Sequence, residues 1–259
     1  MAAATQSLPN IEPPDAALTA ELQLLAKASR ILEIQGHGDR IFGHVAMRDP
    51  RGHGFWLKRH GISLGEVFDA QDFVLLSFDG KQLYGSGKRH NEWPIHAEAL
   101  KARPDLNFTA HTHPFYCVTY ASVSDPLPLL HSRRFAPPNR FEDTSDFILT
   151  PEQGASLARA LGNNLVVLMR HHGVLYCGRT VLELVTSGVG IEEACQEALL
   201  IKSTGFSWSE VPMAETAQRA TSQKTRMSGR DTDLWDYYCR VLERAEQVGD
   251  IRLSKAPVR

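Results

Sequence analysis

The spacing of apolar residues along the chain alternates between the period of a helix and the period of a strand. In the segment 15–36, leucine, isoleucine and alanine side chains recur every three or four residues, which predicts a helix that ends at Gly36. A second helix is predicted over 92–104, with Pro94 in its first turn and a stop before Pro104. Further helices are predicted over 151–162, 181–205 and 231–247.

Short apolar runs between these helices predict strands. Asp79-Gly80 has the composition of a tight turn and predicts a hairpin over 72–85. The run from Leu165 to Met169 is apolar throughout, as in a strand that is buried on both faces. Other strands are predicted over 44–50, 54–61 and 106–113. Strands mixed with helices in one chain of this size indicate a layered α/β domain, although periodicity alone does not give its topology.

Composition agrees with a globular protein and disfavours several functions. Apolar residues make up 42% and charged residues 22% of 259 residues, and the net charge of −2 gives no electrostatic footprint for nucleic acid or an anionic membrane. No apolar stretch approaches the ~20 residues that a membrane helix needs. We expect a cytoplasmic protein, because residues 1–15 lack the pattern of a secretory signal and the four cysteines form no CxxC pair.

The domain organisation follows from the absence of a repeat, a low-complexity tract or a break in composition. Residues 1–15 are predicted to form a flexible N-terminal tail. Residues 16–259 are predicted to form a single domain with a helical C-terminal segment. A proline-rich stretch at 125–140 is long enough to predict a functional loop rather than a plain connector.

Histidine is the residue type that stands out, with 11 copies, several of them adjacent. His111 and His113 fall at the end of the predicted strand 106–113, where alternate side chains share one face and can share one cation. In a helix the two rings would diverge by ~200° and could not. Two partly exposed surface histidines are the alternative interpretation. Pro114 ends the strand just beyond them, as expected where a strand opens into a site.

A second histidine group and a carboxylate add to this pattern. His171 and His172 follow the buried run 165–169, and only one of them is expected to face inward. Three imidazoles from two strand ends would form a metal site with open positions, for which zinc and manganese both fit. Glu92 lies near the start of a predicted helix, where it is either a structural cap or an acid/base beside the metal.

Three stretches together resemble one known family, the class II aldolase/adducin family. They are GHVAMRDP, NEWPIHAEALKARPDLNFTAHTHP and RHHGVLYCG, and the resemblance spans roughly residues 20–205. It implies a three-layer α/β/α sandwich with a central, mainly antiparallel sheet. It also implies homo-oligomers, usually tetramers, with active sites near subunit interfaces. The three stretches together are specific evidence for this family, whereas any one of them alone would be weak evidence.

The resemblance also implies roles for individual residues. Carried over position by position, His111, His113 and His172 are the ligands of one divalent metal ion per subunit, zinc or manganese. His172 is selected over its neighbour because the family ligand directly precedes a glycine, here Gly173. Glu92 is implied as the catalytic acid/base.

This chain departs from the phosphosugar members of the family at two places. It has Gly43-His44 where they have a GN pair, and His90-Asn91 where they have two serines before the glutamate. Small hydroxyl and amide groups cradle a substrate phosphate there, and larger imidazoles remove that cradle. The departures favour a flatter, more compact anion. Candidate substrate-binding residues are His44, Lys58, Arg59, His90 and Asn91, with ordinary solvated charge as the alternative for the basic pair.

The pattern is similar to the family's decarboxylases of hydroxylated aromatic or pyridine dicarboxylates. We therefore expect a metal-dependent, non-oxidative decarboxylase that acts on a small carboxylate, with Glu92, or else His90, protonating the ring carbon. One alternative is a metal-dependent aldolase of a non-phosphorylated hydroxy-acid, which forms a similar enolate. The other is a non-catalytic, adducin-like interaction scaffold, which the intact histidine triad and glutamate disfavour. Neither nucleic acid nor membrane is an expected partner.

Overall fold

The computed structural model describes residues 11–130, 137–212, 214–216 and 230–253. The first ten residues of the predicted tail and residues 131–136 of the predicted proline-rich loop lie outside the described residues. Eight strands form one sheet in the order β4-β3-β2-β1-β5-β8-β7-β6, and every neighbouring pair is antiparallel except β6 with β7. The strands are β1 His44–Arg48, β2 Phe55–Lys58, β3 Phe73–Leu76, β4 Gln82–Tyr84, β5 Phe108–Thr112, β6 Asn139–Phe141, β7 Val166–Met169 and β8 Gly173–Gly178.

Helices cover both faces of this sheet. The helices are α1 Ala16–Leu32, α2 Trp93–Ala102, α3 Phe115–Ala121, α4 Pro151–Leu161, α5 Val181–Ser203 and α6 Arg230–Val248. Helices α2 and α4 pack on one face, and α1, α3 and α5 pack on the other. Alternate residues of β7 pack into opposite cores. Val166 and Leu168 pack against α1, α3 and α5, whereas Val167 and Met169 pack against α2 and α4. The predicted α/β/α sandwich with a mainly antiparallel sheet is confirmed.

Most predicted elements are found close to their predicted bounds. The first helix ends at Leu32 and continues as one wide turn, Glu33–His37, in which Gly36 takes the left-handed φ of 90°. The hairpin turns at Asp79-Gly80, as predicted, with φ 81° at Gly80. Within the described residues no helix is both long enough and apolar enough to span a membrane.

Three elements were not predicted, and each has a weak local signal. Helix α3 has the sequence FYCVTYA, which is rich in aromatic and β-branched residues of low helix propensity. Strand β6 has only three residues. Strand β8 follows β7 after a three-residue turn, so the predicted strand 165–169 ends where the turn of a hairpin begins. This hairpin decides where His172 lies.

Candidate metal centre

Three imidazoles converge where the end of β5 meets the β7–β8 turn. Thr112 of β5 pairs with Val174 of β8, so the residues just after β5 lie beside the turn that carries His172. The Nε2 atoms of His111 and His113 are 3.0 Å apart, and the rings of His113 and His172 stack with centroids 5.4 Å apart. One ligating nitrogen from each of the three rings lies within 4.8 Å of the others. The spacing expected of a shared cation is therefore present.

Gly173 is required by this convergence. A Cβ atom at this position would lie 2.7 Å from Cδ2 of His113 and 2.6 Å from the carbonyl oxygen of Thr112. Both distances are shorter than real Cβ contacts, so any side chain would push the hairpin away from β5. The glycine after His172 thus allows the turn to approach His111 of β5 and His113 just beyond it.

Hydrogen bonds at Nδ1 fix the orientation and the protonated nitrogen of two of the rings. The Nδ1 atom of His111 donates to the carbonyl oxygen of Val174 at 3.2 Å, and Nδ1 of His113 donates to Oδ2 of Asp39 at 3.0 Å. With a proton on each Nδ1, both Nε2 atoms are unprotonated and face each other. Two lone pairs at 3.0 Å repel unless a cation lies between them. The donor set therefore fits a divalent metal ion, with Asp39 in the supporting role that such sites commonly have.

Burial keeps the three imidazoles neutral. It lowers the pKa of His111 well below its usual value, and it lowers the pKa of His172 to about 4. The pKa of His113 is also lowered by burial, although the Asp39 carboxylate opposes this shift. Neutral imidazole is the form that binds a metal ion, so no proton has to leave at neutral pH.

Glu92 lies against the same histidines. Its carboxylate is 3.7 Å from Nε2 of His172 and 4.0 Å from Nε2 of His111, and Oε1 accepts the backbone N–H of Ile148 at 3.0 Å. Glu92 precedes the first turn of α2, but its side chain makes no capping bond to that helix. Burial raises the pKa of Glu92 to about 7, and the Ile148 N–H partly opposes the shift. A carboxyl group in such a position can both give and take a proton near neutral pH.

A cavity of about 530 Å³ opens onto Glu92, His113 and His172. This volume is in the range of small-molecule sites. Its other walls include Asp39, Arg40, His171 and three phenylalanines, Phe42, Phe115 and Phe147.

The structure does not bring Lys58 and Arg59 to this cavity. Lys58 is fully buried, and its Nζ atom donates to the carbonyl oxygen of Ile62 at 2.5 Å. Arg59 is buried in an ion pair with Asp72, with Nε 3.3 Å from Oδ1. Both side chains already have protein partners, and their role in holding a substrate carboxylate stays a prediction.

The other candidate substrate residues lie behind or beside the histidines. His44 and His90 are both buried, with ring centroids 4.4 Å apart, and neither is among the residues that line the cavity. His44 bonds through Nδ1 to Nε2 of His96 at 2.6 Å. A ligating atom of His44 lies within 4.8 Å of those of Glu92 and His111, which forms a second, overlapping group that could hold a metal. Asn91 is exposed and adjacent to Glu92.

Sequence reasoning missed Asp39, the Ile148 N–H and the cavity wall. Asp39 comes from the loop before β1, and no spacing links it to His113. His171, which the sequence favours as a surface or supporting residue, is exposed on the cavity wall, and its Nδ1 lies 3.0 Å from Oγ of Ser122. The adjacent histidines in the sequence thus divide between the candidate metal group and the wall.

Known proteins resemble this chain over most of its length. A family described as "Class II Aldolase and Adducin N-terminal domain" matches residues 23–199. The "Meiotically up-regulated gene 14 protein" of Schizosaccharomyces pombe is 30% identical over 188 residues, which are 70% of this chain and 73% of that protein. A "3,4-dihydroxyphthalate decarboxylase" of Arthrobacter keyseri is 25% identical over 209 residues, 76% of this chain and 84% of that protein.

A solved structure supports the fold independently. The L-fuculose 1-phosphate aldolase from Glaciozyma antarctica PI12 superposes with a TM-score of 0.72 at 21% identity and covers 94% of this chain and 97% of that one. At this identity the likeness concerns the fold alone. The family match covers both sequence segments that contribute histidines to the site. This chain belongs to the class II aldolase and adducin family.

Proposed function

We propose that the protein is a metal-dependent carbon–carbon lyase that removes carbon dioxide from a hydroxylated aromatic or pyridine carboxylate or dicarboxylate. One observation carries the proposal: the ligating nitrogens of His111, His113 and His172 converge beside the Glu92 carboxyl group, at a cavity of about 530 Å³. The similarity to a 3,4-dihydroxyphthalate decarboxylase supports the substrate class.

His111, His113 and His172 would hold one divalent ion per subunit, zinc or manganese. Three neutral imidazoles suit both metals and leave coordination positions open. When bound, the ion supplies a Lewis acid that stabilises the negative charge developing on the substrate as carbon dioxide leaves. The hydrogen bond from His113 to Asp39 and the one from His111 to the Val174 carbonyl hold two of the rings in place for this role.

Glu92 is the proposed acid/base. The bond between the ring carbon and the carboxylate carbon breaks, carbon dioxide departs, and the ring carbon takes a proton from the Glu92 carboxyl group. Solvent then returns a proton to Glu92. Its position supports this role, since it reaches the cavity and the histidines. Among the described residues, its carboxylate accepts the Ile148 N–H and pairs with no lysine or arginine. His90, the alternative donor, is buried behind His44.

Aldol cleavage of a non-phosphorylated hydroxy-acid is the second candidate. It would use the same histidines and the same glutamate, since it also leaves an enolate-like anion. Buried imidazoles at His44 and His90 stand where the phosphosugar members have phosphate-binding groups, which argues against a sugar phosphate. A purely structural role accounts neither for the convergence of the histidines nor for a buried carboxyl group beside them.

The experiment is a carbon dioxide release assay on a small panel of hydroxylated benzene and pyridine dicarboxylates, before and after chelation of metal from the purified protein. We expect release that stops on chelation and returns with zinc or manganese. Protein that carries stoichiometric metal and releases no carbon dioxide from any member of the panel would exclude decarboxylation of this class. Cleavage of a hydroxy-acid to an aldehyde or ketone by the same protein would then establish the aldolase.

Two further features are part of the proposal. We propose a cytoplasmic protein that assembles as a homotetramer. Sedimentation equilibrium of the full chain measures the subunit number directly.

A further inference from the structure

We infer that Arg40 and a rim of three phenylalanines, Phe42, Phe115 and Phe147, form the subsite that selects the substrate: a planar aromatic ring carrying a second carboxylate, apart from the one that reacts. The inference rests on the proposed function for the identity of the reacting carboxylate, and it adds which residues bind the second carboxylate and the ring. Among the described residues that line this cavity, Arg40 is the one lysine or arginine.

The aromatic rim is exposed to an unusual degree. Phe42, Phe115 and Phe147 have 44%, 72% and 56% of their surface accessible, although all three line the same cavity. A large exposed apolar patch around a concavity commonly marks a binding site. Phe147 also meets His172 edge to face, with centroids 6.0 Å apart, so the rim reaches one of the candidate metal ligands. Such rings can stack against a planar substrate ring.

Arg40 has a strained backbone at the same cavity. Within the described residues two non-glycine residues have a positive φ, Arg40 at 50° and His171 at 54°, and both lie on the cavity wall. Non-glycine residues in this region of φ are uncommon and concentrate at functional sites, where the surrounding structure holds them. The agreement between backbone strain and cavity position at two separate loops is the observation that singles out Arg40.

The side chain of Arg40 has two protein contacts and keeps hydrogen-bond donors available for a ligand. Its guanidinium lies 5.4 Å from the centroid of the Phe42 ring, and Nε contacts Oδ1 of Asp39 at 3.1 Å. The side chain is 79% exposed, so its two Nη groups remain able to bind a carboxylate with two parallel hydrogen bonds. The Arg40 guanidinium and the phenylalanine rim of the subsite are therefore in contact through Phe42.

Asp39 links this subsite to the candidate metal centre. One of its oxygens contacts Arg40, and the other accepts from Nδ1 of His113. The anion anchor and a candidate metal ligand are thus fixed to one carboxylate. A flat ring with two neighbouring carboxylates can bind the candidate metal centre through one carboxylate and Arg40 through the other. A short aliphatic hydroxy-acid has no ring for the phenylalanine rim.

Isothermal titration calorimetry on the zinc-loaded protein tests the subsite without turnover. The probes are phthalate, benzoate and cis-cyclohexane-1,2-dicarboxylate, none of which carries the ring hydroxyl that the proposed reaction needs. We expect phthalate to bind about tenfold more tightly than either of the others, since each lacks one recognised feature. Equal affinity for phthalate and the cyclohexane diacid would overturn the aromatic rim.

Substitutions locate the effect. Arg40→Gln should weaken phthalate binding about tenfold and abolish its advantage over benzoate, and Arg40→Lys should recover part of the loss. The matched control is Arg179→Gln, which removes another exposed arginine paired with a neighbouring carboxylate, Glu183, and should bind phthalate like the wild type. Wild-type binding by Arg40→Gln would sink the assignment of the anchor.

The rim has its own pair of variants. Phe115→Ala should weaken phthalate binding, whereas Phe206→Ala, which removes a phenylalanine that is 76% exposed and not among the residues lining the cavity, should not. Light scattering reports the subunit number of both variants. A changed subunit number with unchanged phthalate binding in Phe115→Ala would make the rim an interface between copies and overturn the proposal.

The two proposals fail separately. Arg40-dependent phthalate binding without carbon dioxide release from the hydroxylated panel would leave the subsite standing and remove the reaction. Carbon dioxide release that is unchanged in Arg40→Gln, with phthalate binding also unchanged, would leave the reaction standing and remove the subsite.

Discussion

Two clusters of buried histidines lie side by side in this protein and differ in what their nitrogens meet. The open cluster is His111, His113 and His172, and the sealed cluster is His44, His90 and His96. Burial lowers the pKa in both clusters. In the sealed cluster Nδ1 of His44 bonds to Nε2 of His96, whose own Nδ1 bonds to Oγ1 of Thr109 at 2.7 Å. In the open cluster the Nε2 atoms of two rings face each other across 3.0 Å, beside a cavity.

The difference shows that a histidine's role follows from its partners rather than from its burial. His44 and His96 bond to each other and to a hydroxyl group, as in a packed core network, while Nε2 of the buried His90 has no hydrogen-bond partner among the described residues. Imidazoles whose second nitrogens are turned toward one point by Asp39 and the Val174 carbonyl leave that point for a cation. His44 shares features of both clusters: it bonds to His96, and one of its nitrogens also lies within 4.8 Å of ligating atoms of Glu92 and His111.

The largest expected effect separates the clusters by metal content. His113→Ala should lose stoichiometric metal, with an affinity at least about 100-fold lower, because a ligand matters more than its supporting partners. His113 is the ligand chosen because it belongs to the open cluster alone, whereas His111 also falls in the second candidate group. The matched variant His44→Gln should keep its metal. Mass spectrometry of dialysed protein measures both. Metal retained in His113→Ala and lost in His44→Gln would reverse the two assignments.

Glu92→Gln should separate metal binding from chemistry. We expect turnover to fall by about 10²–10⁴ while metal content stays at the wild-type level, since the amide cannot exchange the proton. Glu98→Gln is the control: Glu98 is a buried carboxylate of the same helix that pairs with Lys101. The measurement is kcat on the hydroxylated panel, and unchanged turnover in Glu92→Gln removes the acid/base role.

His96 of the sealed cluster and the separately buried His37 should make folding stability depend on pH. Burial lowers the pKa of His96 to about 3 and that of His37 to about 4, so the unfolded chain binds more protons than the folded one below pH ~6.5. Stability is present above pH ~6.5 and is lost as pH falls toward 4, at about 1.4 kcal/mol per pH unit for each group, or ~2.7 kcal/mol for both.

Urea unfolding at several pH values measures this slope. His96→Gln should reduce it by about 1.4 kcal/mol per pH unit, since one titrating group is gone. A slope that is the same in His96→Gln and the wild type would show that His96 is not held neutral in the fold.

The smallest effect is expected at Asp39. Asp39→Asn keeps a hydrogen-bond acceptor near His113 but removes the charge, and metal affinity should fall about tenfold, the lower end for supporting partners of metal ligands. Competition with a chromophoric chelator measures the affinity. An affinity equal to that of the wild type would mean that the carboxylate does not support the ligand.

Sequence alone predicted the parts of this protein that local periodicity controls. Alternation along the predicted strand 106–113 placed His111 and His113 on one face, and turn residues located the hairpin at Asp79-Gly80. The choice of His172 over His171 required a family resemblance, because it depends on the β7–β8 turn and on the close approach that Gly173 allows.

The remaining parts depend on contacts between distant segments. The sequence predicts Lys58 and Arg59 as substrate-binding residues, with solvated charge as the alternative. In the fold Arg59 contacts Asp72, and Lys58 contacts a backbone carbonyl group. Asp39 and Arg40 reach the site from a loop with no motif of its own. Side chains brought together by sheet order rather than by spacing along the chain leave no periodic signal.

The most direct test of the central claim is an anomalous difference map at the zinc absorption edge, from crystals grown with one equivalent of zinc. We predict one peak per subunit, about 2.0–2.1 Å from a ring nitrogen of each of His111, His113 and His172. A peak bound by His44, Glu92 and His111 instead, or no peak in crystals of zinc-loaded protein, would contradict it.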